Sequence, residues 1–302
     1  MDKRIKALLG MITVSLFWAP SFAVTKGMLS VAGPVSLVCI RFLGAATLLT
    51  VCLLPFHQKA AIRKEDRGMF LGVTVMIPLH YILSNFASLS LSETESIMFS
   101  SFQSLFTMII ASLVLGSKIK PFTSVYIGIA GIGAVLLMEF QSSLDLVKTG
   151  YVVMLLAMIV WVIYCVLLTK LLERYRIPQL ICSQFWMTGI VLIPWLFMEQ
   201  NQFDRWGGIG LPGMLYLTVC CTAVCFLLNA KGIKEIGPIP SSLVLIIGPV
   251  LVVALDMGRT GIRLSPRRLT GVLFVIAGIV LVILDVVRET KHRSRNEKER
   301  VG

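Results

Sequence analysis

Charge is what this chain has least of. Asp, Glu, Lys and Arg make up 15% of its 302 residues, where soluble domains carry roughly a quarter. With 56% hydrophobic residues and a mean hydropathy of +0.86, that shortage excludes an ordinary soluble domain. The sequence also lacks His-Glu-x-x-His and any pair of aspartates inside an apolar run, so a zinc or aspartyl intramembrane protease would have no reagents. Every carboxylate falls at the end of an apolar run or between runs, which removes the buried anion a carrier of lipophilic cations would prefer. No polar stretch is long enough for a signalling domain, which argues against a receptor. Nor is there an Asn-x-Ser/Thr sequon, in keeping with a bacterial inner membrane. The seven cysteines sit in apolar stretches without His or carboxylate neighbours, so neither a disulfide framework nor a metal site is expected, and no cofactor.

What the chain does have is long apolar runs, and it has them twice. Leu37-Val38-Cys39-Ile40-Arg41-Phe42 returns as Leu180-Ile181-Cys182-Ser183-Gln184-Phe185 at an offset of 143, and Trp18 returns as Trp161 at the same offset. Gly68-Met69 returns as Gly213-Met214 at 145, and Ile129-Ala130-Gly131-Ile132 as Ile276-Ala277-Gly278-Ile279 at 147. A bilayer core about 30 Å thick needs about 20 helical residues. Ten runs approach that length, centred near Phe17, Ala45, Ile77, Phe106, Ala130, Ile159, Thr188, Thr222, Gly248 and Ile276. The expected fold is therefore all-α and integral to the membrane, with ten transmembrane helices as two five-helix repeats. Five crossings per repeat put the second copy upside down relative to the first, the arrangement of many alternating-access carriers. The expected boundaries are 1–140 for the first repeat, 141–148 for a linker, 149–287 for the second repeat and 288–302 for a basic tail.

The net charge of +12 does not point to nucleic acid, because the basic residues lie in short joints and tails between apolar runs. With both termini cytoplasmic, twenty Lys and Arg fall on the inner side and seven on the outer, with Arg41 left inside a span. Four of the seven, Arg259, Arg263, Arg267 and Arg268, crowd the joint between spans nine and ten, a local exception to the positive-inside rule. Met1 to Lys6 and the run after it resemble a secretory signal ending at Ser21-Phe22-Ala23. A retained first span is the expectation, since its copy in the second half is internal.

Polar side chains inside the spans cost free energy and usually face other helices or water. Ser96, Ser100, Gln103 and Thr107 form one stripe on span four, either as glue between helices or as cavity lining. His80 and Ser84 lie four apart on span three beside Tyr81 and Asn85. The histidine would serve either a proton relay or a structural hydrogen bond. Arg41 would either receive an anionic group or pair with Glu93 or Glu95, and the ion pair is the expected arrangement. Trp18 and Trp161 would wall a central site or pack a core. Pro20, Pro78, Pro194 and Pro249 are expected to kink their spans. Ala130, Ala134, Gly128, Gly131 and Gly133 give span five a small-residue face for close packing.

The residues Phe17-Trp18-Ala19-Pro20-Ser21-Phe22, Ile40-Arg41-Phe42-Leu43, Ala130-Gly131-Ile132, Trp161 with Tyr164, Ile247-Gly248-Pro249-Val250 and Ile276-Ala277-Gly278-Ile279, in that order, resemble the EamA-type carriers of the drug/metabolite transporter superfamily. Two departures stand out. Leu115-Gly116-Ser117 replaces the family's Leu-Gly-Glu, and Gln103-Ser104-Leu105-Phe106 replaces its Ser-Pro-Leu-Phe. The resemblance implies two inverted halves around a central cavity and export or exchange of a small polar metabolite, such as an amino acid. Multidrug export, or a nucleotide-like or adenosyl cargo, is the alternative. The cavity candidates are Trp18, Ser21, Tyr81, Ser100, Gln103, Trp161, Tyr164 and Gln184, with His80, Arg41, Glu93 and Glu95 for coupling or ion pairing. The expected partners are a small-molecule substrate and the lipid bilayer, the expected state a monomer or homodimer, and the expected setting a bacterial inner membrane.

Overall fold

A computed structural model describes residues 2–53, 62–100, 102–116, 121–137, 149–206, 210–260 and 265–301. The 141–148 linker, Ser117 and Arg263 lie outside the described residues, as do the side chains of Ser100, Ala134, Arg259 and everything from residue 289 on. Among the described residues all regular structure is helical, and eight helices are long and apolar enough to cross a membrane.

In chain order the α-helices are α1 (Lys3–Met28), α2 (Pro34–Leu53), α3 (Arg67–Ser90), α4 (Glu93–Ser100), α5 (Phe102–Leu115), α6 (Pro121–Leu137) and α7 (Thr149–Leu172). After them come α8 (Ile177–Leu192), α9 (Trp195–Met198), α10 (Gly210–Leu215), α11 (Cys225–Ile236), α12 (Pro238–Leu245), α13 (Ile247–Thr260) and α14 (Pro266–Val301). A nine-residue π-helix, Tyr216–Val224, joins α10 to α11. Their ends follow from local chemistry. Asp2 caps α1 through Arg4 N at 2.7 Å, and Pro178 occupies the first turn of α8, where a missing N–H costs nothing. Gly237, at φ +90°, supplies the left-handed turn between α11 and α12.

The duplication is visible in these bounds. α4 and α12 begin at Glu93 and Pro238, and α5 and α13 at Phe102 and Ile247, both pairs 145 apart. Pro78 plus 145 falls on Ala223, inside the π-helix, so the two copies of this span depart from the regular ladder at matching places by different means. The prolines act unequally. α1 and α3 run on through Pro20 and Pro78, whereas α8 gives way to α9 at Ile193 and Pro194. Pro249 lies in the first turn of α13, just past the division at Ile246.

The two halves interlock. The most extensive helix pairings are α6 with α14, α3 with α7, α2 with α8, α1 with α11 and α5 with α7, each joining a helix before residue 140 to one after 148. Exchanging the halves turns the α3–α7 pairing into α11–α1 and leaves α2–α8 and α6–α14 unchanged. At the α6–α14 crossing Ala130 and Gly133 pack closely as their pattern suggested, whereas Gly128 faces open space. A Cβ built on Gly133 would lie 2.7 Å from Gly271 O, one on Gly278 would lie 2.8 Å from Ala130 Cβ, and the backbones approach accordingly.

Polar clasps tie the two ends of the bundle. At one end Glu199 accepts from Val35 N (3.1 Å) and Ser36 N (2.7 Å) at the start of α2, and Asn201 Oδ1 accepts from Gly33 N at 3.0 Å. This satisfies donors that a helix N-terminus otherwise leaves open. At the other end buried Asp66 accepts from Arg174 Nη1 (2.7 Å) and from the Tyr175 hydroxyl (2.8 Å), which in turn accepts from Arg63 N. Burial, and the carboxylate it donates to, push the Tyr175 hydroxyl above the ordinary tyrosine range, so it stays a donor into alkaline solution. Asp66→Ala removes the shared acceptor and is expected to cost about 1–3 kcal/mol. Thermal unfolding in detergent would read this as a lowered midpoint, with Asp66→Asn losing less because its amide oxygen still accepts from Tyr175. Equal midpoints for all three proteins would leave the clasp no part in stability.

Candidate functional site

A cavity of about 90 Å³ lies between the halves, and residues from α1, α2, α3, α4, α5, α7, α12 and α13 line it. On α1 the lining runs from Ser15 to Thr25 and on α3 from His80 to Ser88, so the cavity reaches toward the end of the bundle where α1 and α3 finish. Below it Ser15 donates to Val244 O at 3.1 Å, and fully buried Met11, Val162, Val166 and Leu243 close the way to the other end.

Trp18, Tyr81 and Trp161 of the lining belong to an aromatic cluster that continues behind the wall. Trp18 and Trp161 meet edge to face with centroids 5.3 Å apart, as do Phe42 and Phe185 at 5.0 Å, while Tyr81 and Phe226 lie tilted at 35° with centroids 6.0 Å apart. Each of these is a residue and its own copy, since the first two pairs are 143 apart and the third 145. Phe226, 1% exposed, touches six rings of the group and is its hub. Edge-to-face pairs favour this geometry, since each ring presents a positive edge and a negative face.

Of the residues singled out in the sequence, Trp18, Ser21, Tyr81, Gln103 and Trp161 line the cavity, as do Arg41 and His80. Tyr164 and Gln184 do not. Both are fully buried beside it, with the Tyr164 ring 5.3 Å from Trp161 and its hydroxyl 3.5 Å from Gln184 Oε1. Ser100 sits at the end of α4, its side chain outside the described residues. The Ser-Thr stripe serves mainly its own helix. Ser96 donates to Ser92 O and Thr107 to Gln103 O, each one turn back, which leaves Gln103 as the stripe's described contribution to the wall.

The expected pairing of Arg41 with Glu93 or Glu95 is not what the structure forms. Arg41 Nε donates to Thr222 Oγ1 at 2.9 Å, and the guanidinium lies 4.4 Å from the centroid of Tyr81. Thr222 is offered by the π-helix, its own hydroxyl donating five residues back to Leu217 O at 2.8 Å. Glu95 is held elsewhere, in a capping box at the start of α4. Ser92 N donates to Glu95 Oε2 at 2.7 Å and Glu95 N to Ser92 Oγ at 3.1 Å, while Tyr151 donates to the other carboxylate oxygen. Glu93 opens the same first turn. The Ser92-Glu93-Thr94-Glu95 spacing carried that capping signal. His80 Nδ1 lies 2.8 Å from Ala157 O; because a carbonyl only accepts, this nitrogen carries the proton, and the bond fixes the ring against Tyr81 and Trp161. The Trp18 indole donates to Cys221 O in the π-helix at 2.9 Å.

Sequence reasoning missed Ser88, Leu245 and Gly248 in the wall and Phe226 behind it. Ser88 continues the spacing of four from His80 and Ser84, and Phe226 stands one offset of 145 from Tyr81, so both had a readable signal. Leu245 and Gly248 had none, since they reach the cavity through the division at Ile246. No group of three or more His, Cys, Asp or Glu that would hold a metal ion occurs among the described residues.

Comparison with known proteins bears on the same architecture. The EamA-like transporter family model matches residues 5–139 and again 148–284, once per repeat. A protein of Clostridium kluyveri described as an uncharacterized transporter is 26% identical over 262 residues, covering 82% of this chain and 83% of that protein. One solved crystal structure shares the fold with a TM-score of 0.77 at 13% identity, covering 93% of this chain and 98% of its own.

Proposed function

We propose that this chain, which belongs to the EamA-like transporter family, is a secondary carrier of a small polar metabolite, such as an amino acid or a related compound, working by alternating access between two inverted five-helix repeats. The observation that carries the reading is the aromatic cluster against the cavity, where Trp18 meets Trp161 and Phe42 meets Phe185. Residues that touch their own copies lie on the axis relating two repeats, and a cavity on that axis is one both halves can open in turn. Ten spans, both termini cytoplasmic and a bacterial inner membrane complete the proposal, supported by the repeat bounds and the distribution of Lys and Arg. The cavity in this structure reaches toward one end only, as one of two alternating states would.

In mechanism the carrier needs a wall that recognises cargo and a contact that survives the movement. Ser21, Ser84, Asn85 and Gln103 offer hydrogen-bonding groups in the wall, while the tryptophan pair offers ring faces that cost little entropy to order. Export of lipophilic cations is the weaker reading, because Arg41 supplies positive charge to the wall and no Asp or Glu lines it among the described residues.

Counterflow in liposomes tests the proposal. Proteoliposomes loaded with unlabelled amino acids one at a time are expected to accumulate the matching labelled compound transiently. Trp161→Ala is expected to slow that accumulation about tenfold or more, since it removes the ring shared by cavity and axis. The absence of counterflow across a full panel of small polar metabolites, or tags that place Met1 and Gly302 on opposite faces, would overturn it.

A further inference from the structure

We infer that the cargo of this cavity is a singly charged carboxylate, seated on the terminal nitrogens of Arg41. The inference rests on the transport reading and narrows it. Arg41 is 2% exposed, lines the cavity and uses Nε on Thr222 Oγ1; it makes no other hydrogen bond among the described residues. The remaining N–H groups form a planar fork matched to a carboxylate. Tyr81 holds the guanidinium by its ring face, which steadies the plane without consuming a donor.

Among the described residues the charges around the site leave that fork without an anion from the protein. Glu95 is taken up by the capping box and Tyr151, Glu199 by the start of α2, and Asp66 by Arg174 and Tyr175 at the far end of the bundle. A buried guanidinium with no counter-charge is costly in an apolar surround, and an arriving anion relieves that cost. The number of charges follows as well. Arg41 is the one Lys or Arg among the described lining residues, so a carboxylate balances its charge, while a phosphate monoester would leave an excess negative charge in the middle of the bundle. A consequence for the cycle is that the carrier closes more readily loaded than empty, because closing empty buries Arg41 unpaired. Flux by exchange is therefore favoured over net release.

The second half supplies the variant that tests this. Gln184 occupies the place of Arg41 one offset of 143 later, so Arg41→Gln introduces a side chain the fold already accepts at the equivalent position. The experiment measures thermal unfolding of the protein in detergent with a panel of monocarboxylates from acetate to 3-phenylpropanoate. Each acid is compared with its amide, and phenyl phosphate is included as a dianion. One or more acids are expected to raise the wild-type midpoint, the matching amides and phenyl phosphate are not, and Arg41→Gln is expected to weaken the acid's apparent affinity about tenfold or more. Without ligand, Arg41→Gln is expected to unfold at or above the wild-type midpoint, since it removes an unpaired buried charge. A purely structural arginine would give the opposite sign.

The proposal is overturned if no acid shifts the midpoint, if an amide or phenyl phosphate matches its acid, if Arg41→Gln keeps the acid's effect, or if it lowers the unliganded midpoint. An acid that binds as described yet never exchanges across liposomes would sink the transport reading and leave the site intact. A neutral amide that exchanges while its acid stays inert would do the reverse.

Discussion

Phe226→Ala is expected to lower the unfolding midpoint in detergent more than any lipid-facing truncation of equal size and to abolish counterflow. The ring is 1% exposed and sits within 6.3 Å, centroid to centroid, of Trp18, Phe42, Tyr81, Trp161, Tyr164 and Phe185. Truncating a packed phenylalanine costs about 3–5 kcal/mol when its surroundings cannot collapse into the hole. Six aromatic neighbours from both halves, each with two or fewer free torsions, collapse poorly. Phe274→Ala, at a ring 37% exposed on α14, is the control. Equal midpoints for the two variants would show that the aromatic group is not the keystone of the bundle.

Gly133→Val is expected to leave almost no monodisperse protein, and the reason is backbone rather than side chain. A Cβ at this position would stand 2.7 Å from both Gly271 O and Val275 N, and neither atom can rotate away. α6 and α14 would have to separate. In lipid that separation is not resisted by hydrophobicity, because the tails are as apolar as the helix faces, so the close packing itself is what holds the pair. Gly128→Ala offers the contrast on the same helix. Nothing lies within 4 Å of its added carbon, and exchanging glycine for alanine in a helix gains about 0.5–1 kcal/mol. Size-exclusion profiles of the two variants, expressed side by side, give the comparison; recovery of Gly133→Val at wild-type yield would remove the crossing from any account of stability.

Much of this architecture could be read without coordinates, because duplication writes the same constraint twice. The Trp18–Trp161 and Leu37–Leu180 offsets announced the repeat, and the small residues of α6 announced a close neighbour, although pattern alone did not say that the neighbour was α14. The residues that escaped are those whose role depends on direction. Gln184 repeats Arg41 in sequence yet faces Tyr164 rather than the cavity, since the copies are equivalent only in frame. Arg41 was expected on a carboxylate because an unpaired charge is costly, a correct premise that did not foresee a π-helix turning Thr222 toward it. Asp66 drew no attention, being one acid in a charged joint. Its partners Arg174 and Tyr175 are 108 and 109 residues away, and no local periodicity links them.

The glycine crossing of α6 and α14 also bears on how copies of this molecule meet. A groove cut for one helix can seat one helix, and Gly133, Gly271 and Gly278 are already filled from within the same polypeptide. What this side turns outward is Phe122, Val125, Ile132, Leu269, Leu273 and Val280, a bulky coat that acyl chains wet as readily as another protein would. The glycine groove itself is therefore closed to a second copy.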